Sequence, residues 1–151
     1  MKTLALILST LSAGLMAGLF AGFAYSVMPG LRQSTSRTLV EAMQKINVAI
    51  VNPLFMVIFM GGVVFTLAAV AFHWSSPGRL WVIVGCLLYL VMFGVTVAVN
   101  VPLNDALAKA GHADVAAARA AFEAKWVAWN IVRAVAATGS FCAFIWALRV
   151  L

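Results

Sequence analysis

Charged side chains are scarce in this sequence, where they make up 9% of the residues and only four of them are acidic. Soluble globular domains carry about 25% charged residues, so the composition excludes an ordinary soluble domain. Hydrophobic residues reach 65%, which indicates an integral membrane protein. The net charge of +6 then indicates basic flanks facing anionic membrane lipid. We expect no nucleic-acid partner, because no soluble element interleaves basic and aromatic residues.

Cysteine and histidine are rarer still, with two residues of each. Cys86 and Cys142 stand alone in apolar segments without a metal-binding spacing, so we predict that both are buried small apolar side chains. His73 and His112 fall on opposite sides of the membrane in the topology predicted below. We therefore predict surface positions for both histidines and no metal site.

Apolar residues form four long segments, at roughly 3–28, 49–72, 80–99 and 127–148. A helix needs about 20 apolar residues to cross a bilayer, so each segment predicts one transmembrane helix. The first segment is longer than the apolar region of a typical signal peptide, and we expect it to be retained.

The predicted fold is all-α: a single integral membrane domain over 1–151, built as a four-transmembrane-helix bundle with up-down-up-down topology. The predicted helices are roughly 3–28, 36–72, 80–100 and 113–148, so that the second and fourth extend beyond the bilayer. Tryptophan prefers the membrane–water interface, and this path brings Trp74, Trp81 and Trp146 to one interface together with both chain ends.

Segment one contains Gly14, Gly18 and Gly22, which recur at every fourth position. Small residues at this spacing allow another helix to approach closely. We expect this glycine ridge to pack within the four-helix bundle. A homodimer seam and a groove for a flat ligand are the alternatives.

The most informative polar residues lie inside the apolar segments. Arg133 and Asn130 are in segment four, and Asn100 and Asn104 close segment three as Asn-Val-Pro-Leu-Asn. Polar groups in a membrane span are costly and usually face a bundle interior or a polar cavity. We expect Pro102 to bend or end the third helix. Up-down topology would bring the four polar side chains to one level of the bundle.

Three roles are open for Arg133 at this point: an interhelical clamp bonded to an asparagine of segment three, a donor in a substrate-facing site, or a contact to a lipid phosphate. Glu123 and Trp126 precede it at helical spacing and share its helix face. Asn47 and Asn52 of segment two fall near the same side of the membrane.

Two motifs carry a resemblance to a known family. The first motif is Asn-Val-Pro-Leu-Asn-Asp-Ala-Leu at 100–107, and the second is Trp126-x-x-Trp129-Asn130-x-x-Arg133. With these two motifs the chain resembles the anthrone-oxygenase-like family of small integral membrane proteins. The resemblance implies oxidation of polycyclic anthrones to anthraquinones by dioxygen, without a dedicated cofactor. It also implies a location in the bacterial inner (cell) membrane.

Under this interpretation a flat, apolar substrate enters from the bilayer, and donors in a dry site stabilise the oxyanion that forms when its methylene group loses a proton. The implied catalytic residues are Arg133, Asn130, Asn104 and Asn100. The implied substrate-binding residues are Trp126, Trp129, Asn52 and Tyr25. The two candidate bases are Glu123 and Asp105. The alternative is a non-catalytic membrane protein that binds a lipid, a hydrophobic small molecule or a partner membrane protein.

The basic residues predict the orientation of the bundle. Six of the ten Lys and Arg residues lie in the two long connections, which the positive-inside rule places in the cytoplasm, with both termini outside. We expect a reporter enzyme that is active only outside the cytoplasm to be active at both ends of the chain and inactive in the third connection. A fluorescent reporter that matures only in the cytoplasm should give the inverse pattern. Opposite results at the two ends would contradict the up-down path.

Overall fold

The structure is a computed structural model, and it describes residues 1–110 and 114–151 of the chain. Within these residues the backbone forms five helices and no β-strand. We label them α1 (Lys2–Arg32), α2 (Ser36–Ala49), α3 (Pro53–Phe72), α4 (Arg79–Lys109) and α5 (Val115–Val150). Two predictions, the surface position of His112 and the helix start at residue 113, lie outside the described residues.

Four of the helices, α1, α3, α4 and α5, are long and apolar enough to cross a membrane. This finding confirms the predicted all-α fold with four candidate spans and indicates an integral membrane protein. Helix α2 is shorter and amphipathic, with Leu39, Val40 and Met43 buried and Arg37 and Lys45 exposed. The up-down order of the spans stays a prediction.

Helices α1 and α4 each contain one π turn shortly before a proline. The π turns are Phe23–Val27 and Thr96–Asn100, and Pro29 and Pro102 each follow by two residues. Proline lacks an amide donor and crowds the carbonyl four residues earlier, and a wider turn absorbs both effects without ending the helix. The prediction that the third helix ends near residue 100 is therefore wrong, because α4 continues to residue 109.

Helices α2 and α3 are separate, so the prediction of one helix over 36–72 is wrong. Asn52 lies in extended backbone between them and caps α3. Its side chain accepts a hydrogen bond from the Phe55 amide at 3.0 Å and donates one to the Ala49 carbonyl at 3.0 Å. Pro53 disfavours helical backbone at the residue before it, which explains the break. Helix α5, by contrast, is continuous over 36 residues, as the predicted extension requires.

Two hydrogen bonds between the spans have a side-chain hydroxyl as donor and a backbone carbonyl as acceptor. The Tyr89 hydroxyl of α4 donates to the Phe59 carbonyl of α3 at 3.1 Å. The Ser140 hydroxyl of α5 donates to the Gly85 carbonyl of α4 at 2.7 Å. Gly85 also lies against the Phe144 ring, so the backbones of α4 and α5 approach closely there.

Only part of the predicted glycine ridge packs against another helix of the chain. A Cβ at Gly14 would lie 2.9 Å from the Phe141 ring of α5, whereas one at Gly18 or Gly22 would meet no atom of the described residues within 4 Å. The packing prediction is confirmed at Gly14 and wrong at Gly18 and Gly22. A four-residue period shows that the glycines share one face of the helix, but it does not show which of them another helix contacts. The homodimer seam stays a prediction. The buried face of α1 contains Ala5, Leu6, Ser9, Ala13, Ala17 and Phe20.

Three predictions about single residues have different outcomes. The Trp81 and Trp146 rings contact each other, with centroids 5.9 Å apart, as expected for residues at one end of the bundle. Cys86 is buried as predicted, but Cys142 is exposed, since the outer face of a membrane span is apolar too. His73 is buried rather than exposed, and a ring nitrogen bonds the carbonyl four residues earlier at 2.9 Å.

Gly85→Ala tests the close approach of α4 and α5. The new Cβ would lie 2.5 Å from the Phe144 ring, so we expect overpacking to lower the free energy of unfolding by about 1–3 kcal/mol. Gly94→Ala is the control in the same helix, because a Cβ there meets no described atom within 4 Å. Gly94→Ala should leave the free energy of unfolding unchanged or raise it by up to about 1 kcal/mol, because alanine has the higher helix propensity. Unfolding in mixed detergent micelles measures both, and equal stability of the two variants would contradict the packing.

Candidate functional site

Arg133 lies in the interior of the bundle, on α5, with only 5% of its surface exposed. Its Nη2 donates to Asn130 Oδ1 at 2.9 Å. Its guanidinium carbon lies 4.3 Å from the centre of the Phe20 ring and 5.2 Å from that of the Trp126 ring. Because a guanidinium is attracted to the faces of aromatic rings, these contacts hold the charge near both side chains.

Asn130 connects this arginine to α1. Its Nδ2 donates to the Phe20 carbonyl at 3.0 Å, while its Oδ1 accepts from Arg133. The amide is fully buried and uses both of its ends. Asn130 therefore orients Arg133 and fixes the level of α5 against α1 at the same time.

Asn100 and Asn104 connect α4 to an outer turn of α5. The Trp126 indole donates to Asn104 Oδ1 at 2.8 Å, and Asn100 Nδ2 donates to the Trp126 carbonyl at 3.3 Å. The Trp126 ring also packs against Phe23 and Phe122, with centroids 5.6 and 5.9 Å away. Trp126 is thus the common partner of both asparagines.

The clamp considered for Arg133 does not form in the described part of the chain. Arg133 donates to Asn130 of its own helix, whereas Asn100 and Asn104 bond Trp126. The four polar residues predicted to meet thus form two groups, Arg133 with Asn130 and Asn100 with Asn104; Asn104 is half-buried and the other three are buried. Asn130 and Trp126 provide the links to the other helices.

A cavity of about 410 Å³ opens beside Arg133, and all five helices contribute to its wall. We call it the Arg133 cavity. Its aromatic lining residues are Phe20, Phe23, Phe55, Phe59 and Trp126, and its polar ones are Gln44, Asn47, Thr96, Asn104, Asp105 and Arg133. Small-molecule sites typically measure about 300–1,000 Å³ and combine apolar walls with a few polar groups, as this cavity does.

The structure brings six of the ten predicted site residues to this cavity or to its wall. Four of them line it: Arg133, Asn104, Trp126 and Asp105. Asn130 and Asn100 are fully buried behind the lining and bond to it.

Tyr25, Trp129, Asn52 and Glu123 do not line the cavity. Tyr25 and Trp129 are 75% and 40% exposed, on outward faces of their helices. Asn52 is engaged as the helix cap described above. Glu123 lines a separate groove of about 820 Å³ between α1 and α5, where its carboxylate bonds Arg119 Nε at 2.6 Å. Glu123 and Arg133 are also ten residues apart on α5, or roughly 15 Å at helical rise.

Two polar groups of the cavity lining have no protein partner among residues 1–110 and 114–151. Arg133 Nε and Asn47 Nδ2 are both buried without a hydrogen bond there. Arg133 also forms no ion pair with a carboxylate of those residues. Asn100 Oδ1, behind the lining, is likewise buried without a partner there. Buried polar groups are nearly always hydrogen-bonded in native proteins, and a molecule bound in the cavity can supply partners to Arg133 and Asn47.

Sequence reasoning missed several lining residues. Phe55 and Phe59 of α3 stack on each other with centroids 5.2 Å apart, but a run of apolar residues carries no signal for which ring faces a cavity. Gln44 of α2 was missed although it did carry a signal, whereas Asn47 was predicted on the same side of the membrane as Arg133 but without a role. They are amides on an amphipathic helix that leads directly into the Asn-Pro break.

Comparison with known families agrees with the motifs. The family model described as anthrone oxygenase matches residues 48–143, which is nearly two thirds of the chain. The matched range contains all of α3 and α4 and the part of α5 that carries Trp126, Asn130 and Arg133. No curated protein and no solved structure matches the chain.

Proposed function

The chain belongs to the anthrone oxygenase family, and on this premise we propose that it is a small membrane oxidoreductase that oxidises a lipophilic polycyclic aromatic in the Arg133 cavity. The membrane that holds it is proposed to be the bacterial inner (cell) membrane, as the resemblance implies. Binding of a lipid or another hydrophobic ligand without turnover is the alternative that the experiment below separates.

One observation carries the proposal: a buried guanidinium without an acidic partner in the described residues lines a cavity with five aromatic side chains. A buried charge is costly unless an opposite charge accompanies it. The surrounding rings favour a flat apolar molecule, and the guanidinium favours an anionic oxygen on that molecule. The enolate of a polycyclic ketone has both properties.

The proposed reaction converts anthrone and dioxygen into anthraquinone and water. A base removes a proton from the methylene carbon of the anthrone, and the electron pair moves onto the carbonyl oxygen. The N–H groups of Arg133 stabilise the negative charge that develops there. Dioxygen accepts electrons from the enolate and bonds to the former methylene carbon, giving a hydroperoxide after protonation. Loss of water from the hydroperoxide leaves the second carbonyl, so one anthrone and one dioxygen yield one anthraquinone and one water.

Asp105 is the better of the two candidate bases. It lines the Arg133 cavity, whereas Glu123 lines the separate groove and is paired with Arg119. Asp105 is one residue from Asn104, which the Trp126 indole holds in place. A carboxylate at the rim can release the abstracted proton to water, while the oxyanion stays beside the deeper Arg133.

Arg133→Lys tests the oxyanion role. Lysine keeps the positive charge but loses the planar set of donors. We expect the turnover of anthrone to anthraquinone in isolated membranes to fall, by up to about 10²-fold, which is the cost of removing one oxyanion donor. Arg149→Lys is the matched control, since Arg149 lies at the far end of α5 against Trp146, and it should keep wild-type turnover.

Equal turnover by wild type and Arg133→Lys would remove Arg133 from the reaction. No turnover above the spontaneous rate by wild type would overturn the oxidation itself. Retained binding of anthraquinone by the same protein would then favour the non-catalytic alternative.

Asp105→Asn tests the base. The amide keeps the size of the side chain but cannot accept the methylene proton, so we expect a fall in kcat of about 10²-fold or more. Deuterium at the methylene carbon should slow turnover by the variant if proton removal has become limiting. Asp114→Asn is the control, because Asp114 caps α5 outside the cavity and an asparagine also caps well. Unchanged turnover by Asp105→Asn would show that another group removes the proton.

A further inference from the structure

We propose that Asn47 recognises a second oxygen of the substrate, remote from the oxyanion beside Arg133, and thereby selects among polycyclic ketones. The inference rests on the proposed function for the identity of the ligand. Asn47 would be a specificity-determining residue that binds substrate and takes no part in proton or electron transfer.

The amide of Asn47 is free to act in this way. Asn47 lines the cavity, and its Nδ2 is buried without a hydrogen-bond partner in the described chain. An unsatisfied buried donor costs about 1–3 kcal/mol, and a ligand oxygen in the cavity would remove that cost. Either orientation of the amide presents hydrogen-bonding capacity there.

The two neighbouring amides of the same segment are already used by the protein. Gln44, one turn earlier on α2, lines the same cavity, but its Nε2 donates to the Leu107 carbonyl at 2.9 Å. Asn52 is occupied by the cap of α3. Asn47 therefore differs from both in having a side chain without a structural hydrogen bond among the residues described.

Asn47 and Arg133 line the cavity from two different helices, α2 and α5. The backbone of Arg133 is seven residues, or roughly 10 Å at helical rise, beyond that of Trp126, but its guanidinium reaches back to 5.2 Å from the Trp126 ring. Helix α2 is held beside the part of α4 that contacts Trp126. The Gln44 side chain donates to the Leu107 carbonyl, and Leu107 is three residues after Asn104, which accepts from the Trp126 indole. A rigid aromatic molecule that places one oxygen near Arg133 would extend toward α2 along the aromatic wall.

The cavity therefore favours a ligand with polar atoms at two separated positions on a flat apolar frame. An acceptor or hydroxyl oxygen on an outer ring carbon would satisfy Asn47, while the ring carbonyl becomes the oxyanion. A hydrocarbon-like ketone without that outer oxygen would leave the Asn47 donor unpaired. Sites built to bond a substrate oxygen reject analogues that lack it for this reason.

Asn47→Leu, with two probes, tests the inference in membranes containing the full chain. The probes are unsubstituted anthrone and an anthrone with one hydroxyl on an outer ring carbon. In wild type we expect kcat/KM to favour the hydroxylated probe, and in Asn47→Leu we expect this preference to fall roughly three- to tenfold, as for one neutral hydrogen bond. Unsubstituted anthrone reports what Asn47→Leu changes in the cavity apart from the lost hydrogen bond, and the ratio of kcat/KM for the two probes removes that shared effect. Asn52→Asp, which keeps a cap acceptor outside the cavity, should keep the wild-type preference.

The outcomes separate this inference from the proposed function. An unchanged preference in Asn47→Leu, or an equal loss with both probes, overturns the role of Asn47 and leaves the oxidation standing. If wild type oxidises neither probe, the two corresponding anthraquinones are titrated by quenching of tryptophan fluorescence. A preference in binding that Asn47→Leu removes would then support recognition by Asn47 although the oxidation has failed. If Asn47→Leu does not accumulate in membranes, Asn47→Ala is measured in the same way.

Discussion

The burial of Arg133 is the constraint on which the rest of this structure depends. A guanidinium in the interior of a membrane bundle requires aromatic faces, acceptors and a cavity. The rings come from α1 and α5, the acceptor comes from Asn130 of α5, and all five helices line the cavity. Phe20 contributes a ring and a carbonyl from α1, and Asn130 joins that carbonyl to Arg133. One interhelical hydrogen bond in a membrane stabilises by only about 0.6 kcal/mol on average. The value of the Asn130 link is therefore mainly that it specifies the register of α1 against α5.

The two π turns bring the walls of the cavity to this arginine. Phe23 begins the first π turn and packs on Trp126, while Asn100 ends the second and bonds the Trp126 carbonyl. Each turn precedes a proline that an ordinary α-helix would not accommodate without a kink. A π turn also rotates the following residues relative to a regular helix, so the prolines and the site geometry are linked. In the sequence alone the same prolines indicate helix ends, although both helices continue past them.

The sequence predicted the four spans and the polar residues within or at the end of them, because length, hydropathy and a charge inside an apolar run are local signals. Asn130, Arg133 and the Asn100–Asn104 pair could be identified in this way. Their partners could not, since hydrogen bonds to the Phe20 and Trp126 carbonyls depend on how helices pack. The glycine stripe failed for a related reason: in a membrane both the buried and the lipid-facing sides of a helix are apolar, so composition does not distinguish them.

A cavity of this kind is costly for the fold in a way that indicates function. A bundle made for stability alone would fill about 410 Å³ with side chains and pair every buried donor. Here Arg133 Nε and Asn47 Nδ2 are without protein partners in the described chain. Replacing Asn47 with an apolar residue should therefore cost little stability, as often occurs at sites where activity and stability conflict. Replacing Arg133 would also leave the buried Asn130 Oδ1 without its donor. Loss of ligand recognition without loss of the fold is what distinguishes such donors from the structural amide of Asn130, whose two ends are both engaged by the protein.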